Sequence, residues 1–129
     1  MSGVKKPSEW SDATASDVRN RIANKKVYTA FLSQSSTSVP TAMILEDTIT
    51  GLTWNRTSAG IYTLTKANAF LVNKTIPVYD SYVDEDENIY TVERTDESTM
   101  TLKTYASTDP ETPVDDILTN RYFNIEVYT

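Results

Sequence analysis

Carboxylates and tyrosines are the side chains of this sequence whose grouping first suggests chemistry or binding, and cysteine and histidine are both absent. Without a thiol or an imidazole, the chain offers neither a thiolate nucleophile nor the commonest general base and transition-metal ligand. The composition therefore argues against triad-type hydrolases, zinc enzymes and disulfide-stapled folds.

One short stretch concentrates the acidic side chains, and it contains Asp80, Asp84, Glu85, Asp86 and Glu87. The spacing Asp84-x-Asp86-x-Asn88 matches the opening of an EF-hand calcium loop. An EF-hand is nevertheless excluded, because Ile89 stands at the position of its obligatory glycine and Thr95 at that of its bidentate glutamate. An irregular calcium site and a carboxylate pair for glycoside hydrolysis remain alternatives. We interpret the stretch as a solvated hairpin tip, and we expect a non-enzymatic protein with no cofactor, no metal ion and no catalytic residue.

Tyrosine is the second residue type with a possible binding function, and the chain has eight of them. Tyrosine rings on a sheet face can stack on the apolar faces of sugars, and the candidates are Tyr79, Tyr82, Tyr90, Tyr105, Tyr122 and Tyr128. The same rings also suit a half-buried pleated surface while their hydroxyls stay hydrated. The sequence favours this structural interpretation, and a carbohydrate-binding or host-attachment module is the alternative.

The net charge of −6 bears on the possible partners of the chain. On average such a charge repels nucleic-acid phosphates and anionic lipid. No apolar run follows the lysines near the N-terminus, and no stretch is long and apolar enough to span a bilayer. We therefore expect neither a nucleic acid nor a membrane as partner, and a protein that is neither secreted nor membrane-spanning.

The spacing of strand-favouring residues and turn signals predicts a mainly-β fold, an antiparallel sandwich or barrel of about seven or eight short strands. Residues 52–66 form its central hairpin, with a turn at residues 57–60 and Trp54 as the largest apolar anchor. Tyr62 and Phe70 complete the predicted centre of the core. A length of 129 residues suffices for one such core.

Alternating apolar and polar residues predict the later strands. Residues 75–82 and 88–95 form a second hairpin pattern, and residues 100–105 add a strand. The last strand, residues 122–128, should point Phe123, Ile125 and Val127 inward. Residues 107–113 are expected to form a loop and residues 114–118 one helical turn.

The N-terminal region carries the one predicted α-helix, over residues 8–22. Its narrow apolar stripe must find a partner, because an isolated helix of this length is marginally stable. That partner is either the rest of its own domain or the same helix of neighbouring subunits. We therefore divide the chain into an N-terminal helical anchoring or oligomerisation segment, residues 1–26, and a β-sandwich domain, residues 27–129. The expected oligomer or anchoring contact consists of Trp10, Val18 and Ile22.

Two passages resemble proteins of tailed bacteriophages. The passage at residues 11–22 resembles a segment of trimeric fibre proteins that ends in Arg-x-Asn-Ile-Gly, with Arg21 at the asparagine position and Ala23 at the glycine position. The second passage spans most of the chain from residue 27 to the C-terminus and is similar to a small β-rich module of virion proteins from phages that infect Bacteroidetes-type hosts. The similarity lies in residues 27–35 (VYTAFLSQS), 40–42 (PTA), 45–48 (LEDT), 52–62 (LTWNRTSAGIY), 69–70 (AF) and 73–75 (NKT).

The resemblance implies a structural protein of a phage virion, a capsid-decorating, head-fibre or tail-fibre subunit assembled in the host cytoplasm. It implies other virion proteins as partners and a homo-oligomer, with a trimer favoured.

Overall fold

A computed structural model describes residues 25–77 and 79–128 of the chain. The predicted helix at residues 8–22 and the predicted contact residues Trp10, Val18 and Ile22 lie outside the described residues. The described part is all β and folds as an antiparallel sandwich, which confirms the predicted fold class. In this part of the chain, no helix has the length and apolar character that a membrane crossing requires.

Ten strands are described, rather than the seven or eight that the sequence predicts. They are β1 (Lys25–Ser33), β2 (Thr41–Asp47), β3 (Thr53–Ser58), β4 (Ile61–Thr65), β5 (Thr75–Pro77), β6 (Ser81–Val83), β7 (Ile89–Asp96), β8 (Thr99–Ala106), β9 (Asp109–Pro113) and β10 (Arg121–Tyr128). The first sheet has the order β2-β1-β10-β5. The second has the order β3-β4-β8-β7-β6, and β9 pairs with the end of β8.

The two extra strands come from segments that the sequence analysis assigned differently. Residues 75–82, predicted as one strand, are split: β5 joins the first sheet and β6 the second. Pro77 ends β5, and because proline has no N–H it cannot extend the ladder as a donor. The predicted loop at residues 107–113 instead folds back on β8 as β9.

The core forms where the inward faces of the two sheets meet. From the first sheet, β1 and β10 contribute alternate residues, and the predicted inward set Phe123, Ile125 and Val127 is confirmed as buried. The second sheet contributes alternate residues of β4, β7 and β8, with Tyr62 and Tyr90 among the largest fully buried side chains. Alternation of this kind gives each sheet one buried and one solvated face.

The central hairpin is confirmed as β3 and β4, with its turn at residues 59–60. Tyr62 and Phe70 are fully buried, as predicted. Trp54 is only half-buried because β3 is the edge strand of its sheet, and it packs on the core with its ring centroid 5.2 Å from that of Phe123. Its indole N–H donates a 3.1 Å hydrogen bond to the Tyr28 hydroxyl. Trp54 thus closes the edge of the core instead of forming its centre.

The carboxylate of Asp115 fastens this hairpin to the connection between β9 and β10. It accepts hydrogen bonds from the Arg56 guanidinium at 2.6 Å, the Tyr62 hydroxyl at 2.7 Å and the Gly60 backbone N–H at 3.0 Å. The hydrogen bond from Arg56 is the main reason that the pKa of Asp115 falls to about 2. The helical turn predicted at residues 114–118 is therefore wrong: the segment bends, because its polar groups bond to other parts of the chain.

Replacement of Gly60 by alanine should destabilise the fold more than the same change at Gly51. Both glycines have positive φ, which costs an L-residue roughly 1–2 kcal/mol. A Cβ at Gly60 would also lie 2.3 Å from the backbone nitrogen of Val114, whereas a Cβ at Gly51 would meet only the Lys66 side chain at 3.6 Å. We expect Gly60→Ala to lower the free energy of unfolding by roughly 3 kcal/mol and Gly51→Ala by about 1 kcal/mol in urea denaturation. Equal losses would contradict the close approach at Gly60.

Candidate functional site

An aromatic cleft of about 450 Å³ opens beside the connection between β5 and β6 and the start of β10. Its volume lies within the range of roughly 300–1,000 Å³ that is typical of small-molecule sites. We call this site the aromatic cleft, and its lining consists of Phe31, Tyr79, Tyr82, Asn120, Arg121 and Tyr122.

One wall of the cleft lies on the outer face of the first sheet. Phe31 and Tyr122 are direct partners in the β1–β10 pairing, and their neighbours Leu32 and Phe123 point into the core. Strand alternation therefore turns Phe31 and Tyr122 outward. Their ring centroids are 6.0 Å apart in an edge-on arrangement, and Tyr122 is 45% exposed. This wall is a preformed apolar surface that remains open to solvent.

The opposite wall is a short series of tyrosines that leads into the core. The rings of Tyr79 and Tyr82 are 5.6 Å apart, and Tyr82 lies 6.0 Å from the fully buried Tyr90, its partner in the β6–β7 pairing. Tyr82, the middle member of the series, is 43% exposed. The Tyr79 hydroxyl donates a long hydrogen bond of 3.5 Å to the Tyr122 carbonyl and so connects the two walls. Burial raises the pKa of Tyr79 to about 12, and its hydroxyl therefore stays protonated as a donor at neutral pH.

Arg121 supplies the polar part of the cleft. Its guanidinium carbon lies 5.7 Å from the centroid of the Tyr90 ring, and Nη2 lies 3.2 Å from carboxylate oxygens of both Asp84 and Glu85. The charge of Arg121 is thus balanced inside the protein. Its Nε is buried and has no hydrogen-bond partner among the described residues.

Asn120 provides a second polar group. Its Oδ1 accepts a hydrogen bond of 3.2 Å from the Ser33 hydroxyl, and its backbone N–H donates to the same hydroxyl at 3.0 Å. Within the described part of the chain the side-chain amide nitrogen has no partner, and the residue is exposed. The cleft therefore presents an oriented amide donor beside its aromatic walls.

The carboxylate of Asp84 holds Arg121 in place from behind. Its Oδ2 accepts a 2.6 Å hydrogen bond from the Tyr90 hydroxyl, and its Oδ1 accepts bonds of 2.8 and 3.0 Å from the backbone N–H groups of Asp86 and Asn88. The side chain is fully buried. Burial raises the pKa of Asp84, but the hydrogen bonds and the charge of Arg121 outweigh that effect, so its pKa lies below the usual value.

The acidic stretch is therefore divided between the interior and the surface, which corrects its interpretation as a uniformly solvated tip. Asp84 points inward and Glu85 pairs with Arg121, whereas Asp86 and Glu87 are exposed. Among the described residues, no three acidic side chains are grouped so that they could hold a metal ion. The oxygens of Asp84 face N–H and O–H donors and a guanidinium, an environment suited to an ionised structural carboxylate.

Only some of the six candidate tyrosines meet in the cleft. Tyr79, Tyr82 and Tyr122 line it, and Tyr90 lies directly behind Tyr82. Tyr105 lines a separate, more polar groove of about 550 Å³, and Tyr128 is partly exposed at the far end of β10.

Sequence reasoning missed three lining residues, namely Phe31, Asn120 and Arg121. The alternation of β1 could have indicated Phe31, since a strand with apolar residues on both faces must direct some of them away from the core. Neither Asn120 nor Arg121 carries a local sequence signal, because the partners that define their roles are distant in sequence.

The edge strand β2 is a second feature with a possible binding role. Met43, Ile44 and Leu45 are consecutive apolar residues with exposed fractions between 53 and 61%. Among the described strands, β2 pairs only with β1, so its other edge is open. The register of that pair shifts next to Leu45 and forms a bulge. Sheet edges are commonly blocked by charged residues, proline or bulges, and β2 has the bulge and the two charges of Glu46 and Asp47 at its end. Its apolar residues are exposed nevertheless, which is an unusual feature of an edge strand.

Comparison with known proteins gives no match: no family model fits the chain, and no curated protein or solved structure aligns with it significantly.

Replacement of Asp84 by asparagine should remove a contribution to stability that depends on pH. Because the pKa of Asp84 is lower in the folded than in the unfolded state, its stabilisation is complete above about pH 4 and is lost as the pH falls through the folded-state value. We expect Asp84→Asn to lower the free energy of unfolding by about 3 kcal/mol at neutral pH and by less once the pH falls below the folded-state pKa. Urea denaturation across this pH range measures both values.

Asp86→Asn is the matched control, because it removes the same charge from an exposed side chain of the same loop. It should leave the stability at neutral pH almost unchanged. If Asp84→Asn lowered the free energy of unfolding equally at neutral and acid pH, that result would contradict the assignment of Asp84 as an ionised, stabilising carboxylate.

Proposed function

We propose that this chain is a non-enzymatic structural subunit of a bacteriophage virion, in a capsid-decorating or head-fibre position, and that it acts through protein–protein contacts. The single observation that carries the proposal is the exposed apolar edge strand β2. The resemblance of residues 11–22 and 27–75 to virion proteins supplies the kind of particle.

The outer face of the first sheet continues the apolar surface of β2. Met43 lies opposite Phe31 in the β1–β2 pairing, and Phe31 lies opposite Tyr122 in the β1–β10 pairing. An apolar row therefore crosses three neighbouring strands and ends at the open edge. Such a surface favours association with another protein, because burial of apolar area is the main driving force of binding.

We propose a second copy of this chain as the occupant of the β2 edge, because β2 is compatible with itself. An antiparallel pair of β2 strands centred on Ile44 would place Met43 of one copy opposite Leu45 of the other. In this register Glu46 faces Ala42 and Asp47 faces Thr41 of the second copy, so no like charges are opposed. The result is an isologous contact, in which both copies use the same surface.

The hydrogen bonds and ion pairs of two carboxylates, Asp84 and Asp115, support the non-enzymatic part of the proposal. Asp84 and Asp115 each accept several hydrogen bonds and each face a guanidinium, which leaves neither poised as a general acid or base at neutral pH. The resemblance implies a homotrimer and other virion proteins as partners. In this proposal residues 1–26 form these contacts, with Trp10, Val18 and Ile22 as the contact residues.

Replacement of Ile44 by lysine should weaken self-association of the full chain. A buried lysine at the centre of a two-fold strand pair would oppose its copy, and we expect the association constant to fall at least tenfold, about 1.4 kcal/mol. Sedimentation equilibrium over a concentration series measures this change. Val72→Lys is the matched control, because Val72 is an equally exposed apolar residue in a turn away from β2. The association constant of the Val72→Lys variant should equal that of the parent chain.

Two results would contradict the proposal. One is an association constant that is the same in Ile44→Lys and the parent chain, which would exclude the β2 edge as the contact. The other is the absence of the chain from purified particles of the phage that encodes it, as judged by mass spectrometry, which would exclude the virion role.

A further inference from the structure

We propose that the aromatic cleft binds a neutral saccharide, with a sugar ring between the exposed rings of Tyr82 and Tyr122 and a sugar hydroxyl on the amide of Asn120. This inference goes beyond the proposed structural function, although Phe31 and Tyr122 of the cleft also belong to the apolar row that ends at β2. The ligand contact lies apart from the β2 edge. A failure of saccharide binding would therefore leave the proposed β2 contact standing.

The geometry of the cleft suits a small ring with apolar faces. Tyr82 and Tyr122 present nearly half of their surface to solvent, yet both rings are held by neighbours: Tyr82 by Tyr79 and Tyr90, and Tyr122 by Phe31. A ligand that enters therefore meets aromatic faces that are already oriented, and little side-chain entropy is lost on binding. The electron-rich ring faces attract the polarised C–H groups of a pyranose.

The polar groups of the cleft suit hydroxyls, which donate and accept. The amide nitrogen of Asn120 is an oriented donor without a partner among the described residues, and the hydroxyls of exposed tyrosines can act in both senses. Apolar walls with a few convergent polar groups are typical of sites that bind small molecules.

The charges around the cleft favour a neutral ligand over an anionic one. Arg121 is the cation of the lining, and it is already paired with Asp84 and Glu85. The exposed carboxylates of Asp86 and Glu87 follow in the same loop. A sialylated or sulfated sugar would meet this negative field without a free cation to balance it.

The experiment is an NMR titration of the ¹⁵N-labelled full chain with three neutral probes: maltotriose, cellotriose and triacetylchitotriose. We expect at least one of them to shift the amide signals of Tyr79, Tyr82, Asn120 and Tyr122. Tyr82→Ala and Tyr122→Ala should each weaken that binding about tenfold, because each removes one stacking face. Tyr82→Phe should retain it, since the ring remains.

Tyr128→Ala is the matched control, because Tyr128 is an exposed tyrosine on the same strand as Tyr122 but at its other end. It should bind the neutral probe with unchanged affinity, and so should Ile44→Lys, which separates this site from the β2 contact. Denaturation of each variant shows whether it is folded.

Three results would overturn the proposal. The first is a failure of all three neutral probes to shift the signals of the cleft. The second is binding that persists at full strength in folded Tyr82→Ala and Tyr122→Ala. The third is a preference of the cleft for sialyllactose or for a decaproline peptide, used as anionic and polyproline probes, over every neutral saccharide.

Discussion

The buried carboxylate of Asp84 is the interaction on which this part of the sandwich depends. It follows β6 in the second sheet, and its ion-pair partner Arg121 begins β10 in the first sheet, with 3.2 Å between Oδ2 and Nη2. A buried charge is costly unless it is paired and hydrogen-bonded, and Asp84 has both kinds of partner. The same bonds that stabilise the carboxylate therefore fix the distance between the two sheets beside the aromatic cleft.

Asp115 has a corresponding role at the central hairpin. Its bonds to Arg56, Tyr62 and the backbone of Gly60 hold the β9–β10 connection against the β3–β4 turn. The approach is so close that only glycine fits at position 60. In both places a loop carboxylate with several hydrogen bonds connects two elements at the margin of the sandwich.

The sequence correctly predicted the features that depend on local alternation of apolar and polar residues. The predictions failed for segments whose conformation depends on residues distant in sequence. The hairpin of residues 52–66 and the inward set Phe123, Ile125 and Val127 follow from period-two patterns, and both are confirmed. The inward orientation of Asp84 could not be read locally. Its hydrogen-bond donors Asp86, Asn88 and Tyr90 are near in sequence, but its ion-pair partner Arg121 is remote, and four further acidic side chains surround it in sequence. For the same reason the split of residues 75–82 between two sheets was missed, since β5 is paired with the remote strand β10 and only β6 forms a local hairpin with β7.

The aromatic cleft is built on this arrangement, because Asp84 holds Arg121 and Tyr90, and the rings of Tyr82 and Tyr79 pack in series from Tyr90. The most direct test is a double-mutant cycle in which Asp84→Asn and Arg121→Met are measured singly and together by urea denaturation of the full chain. If the two side chains form one inter-sheet unit, their effects on the free energy of unfolding are coupled by roughly 1–3 kcal/mol. Effects that add to within about 0.5 kcal/mol would show that the two residues act independently and would contradict the account.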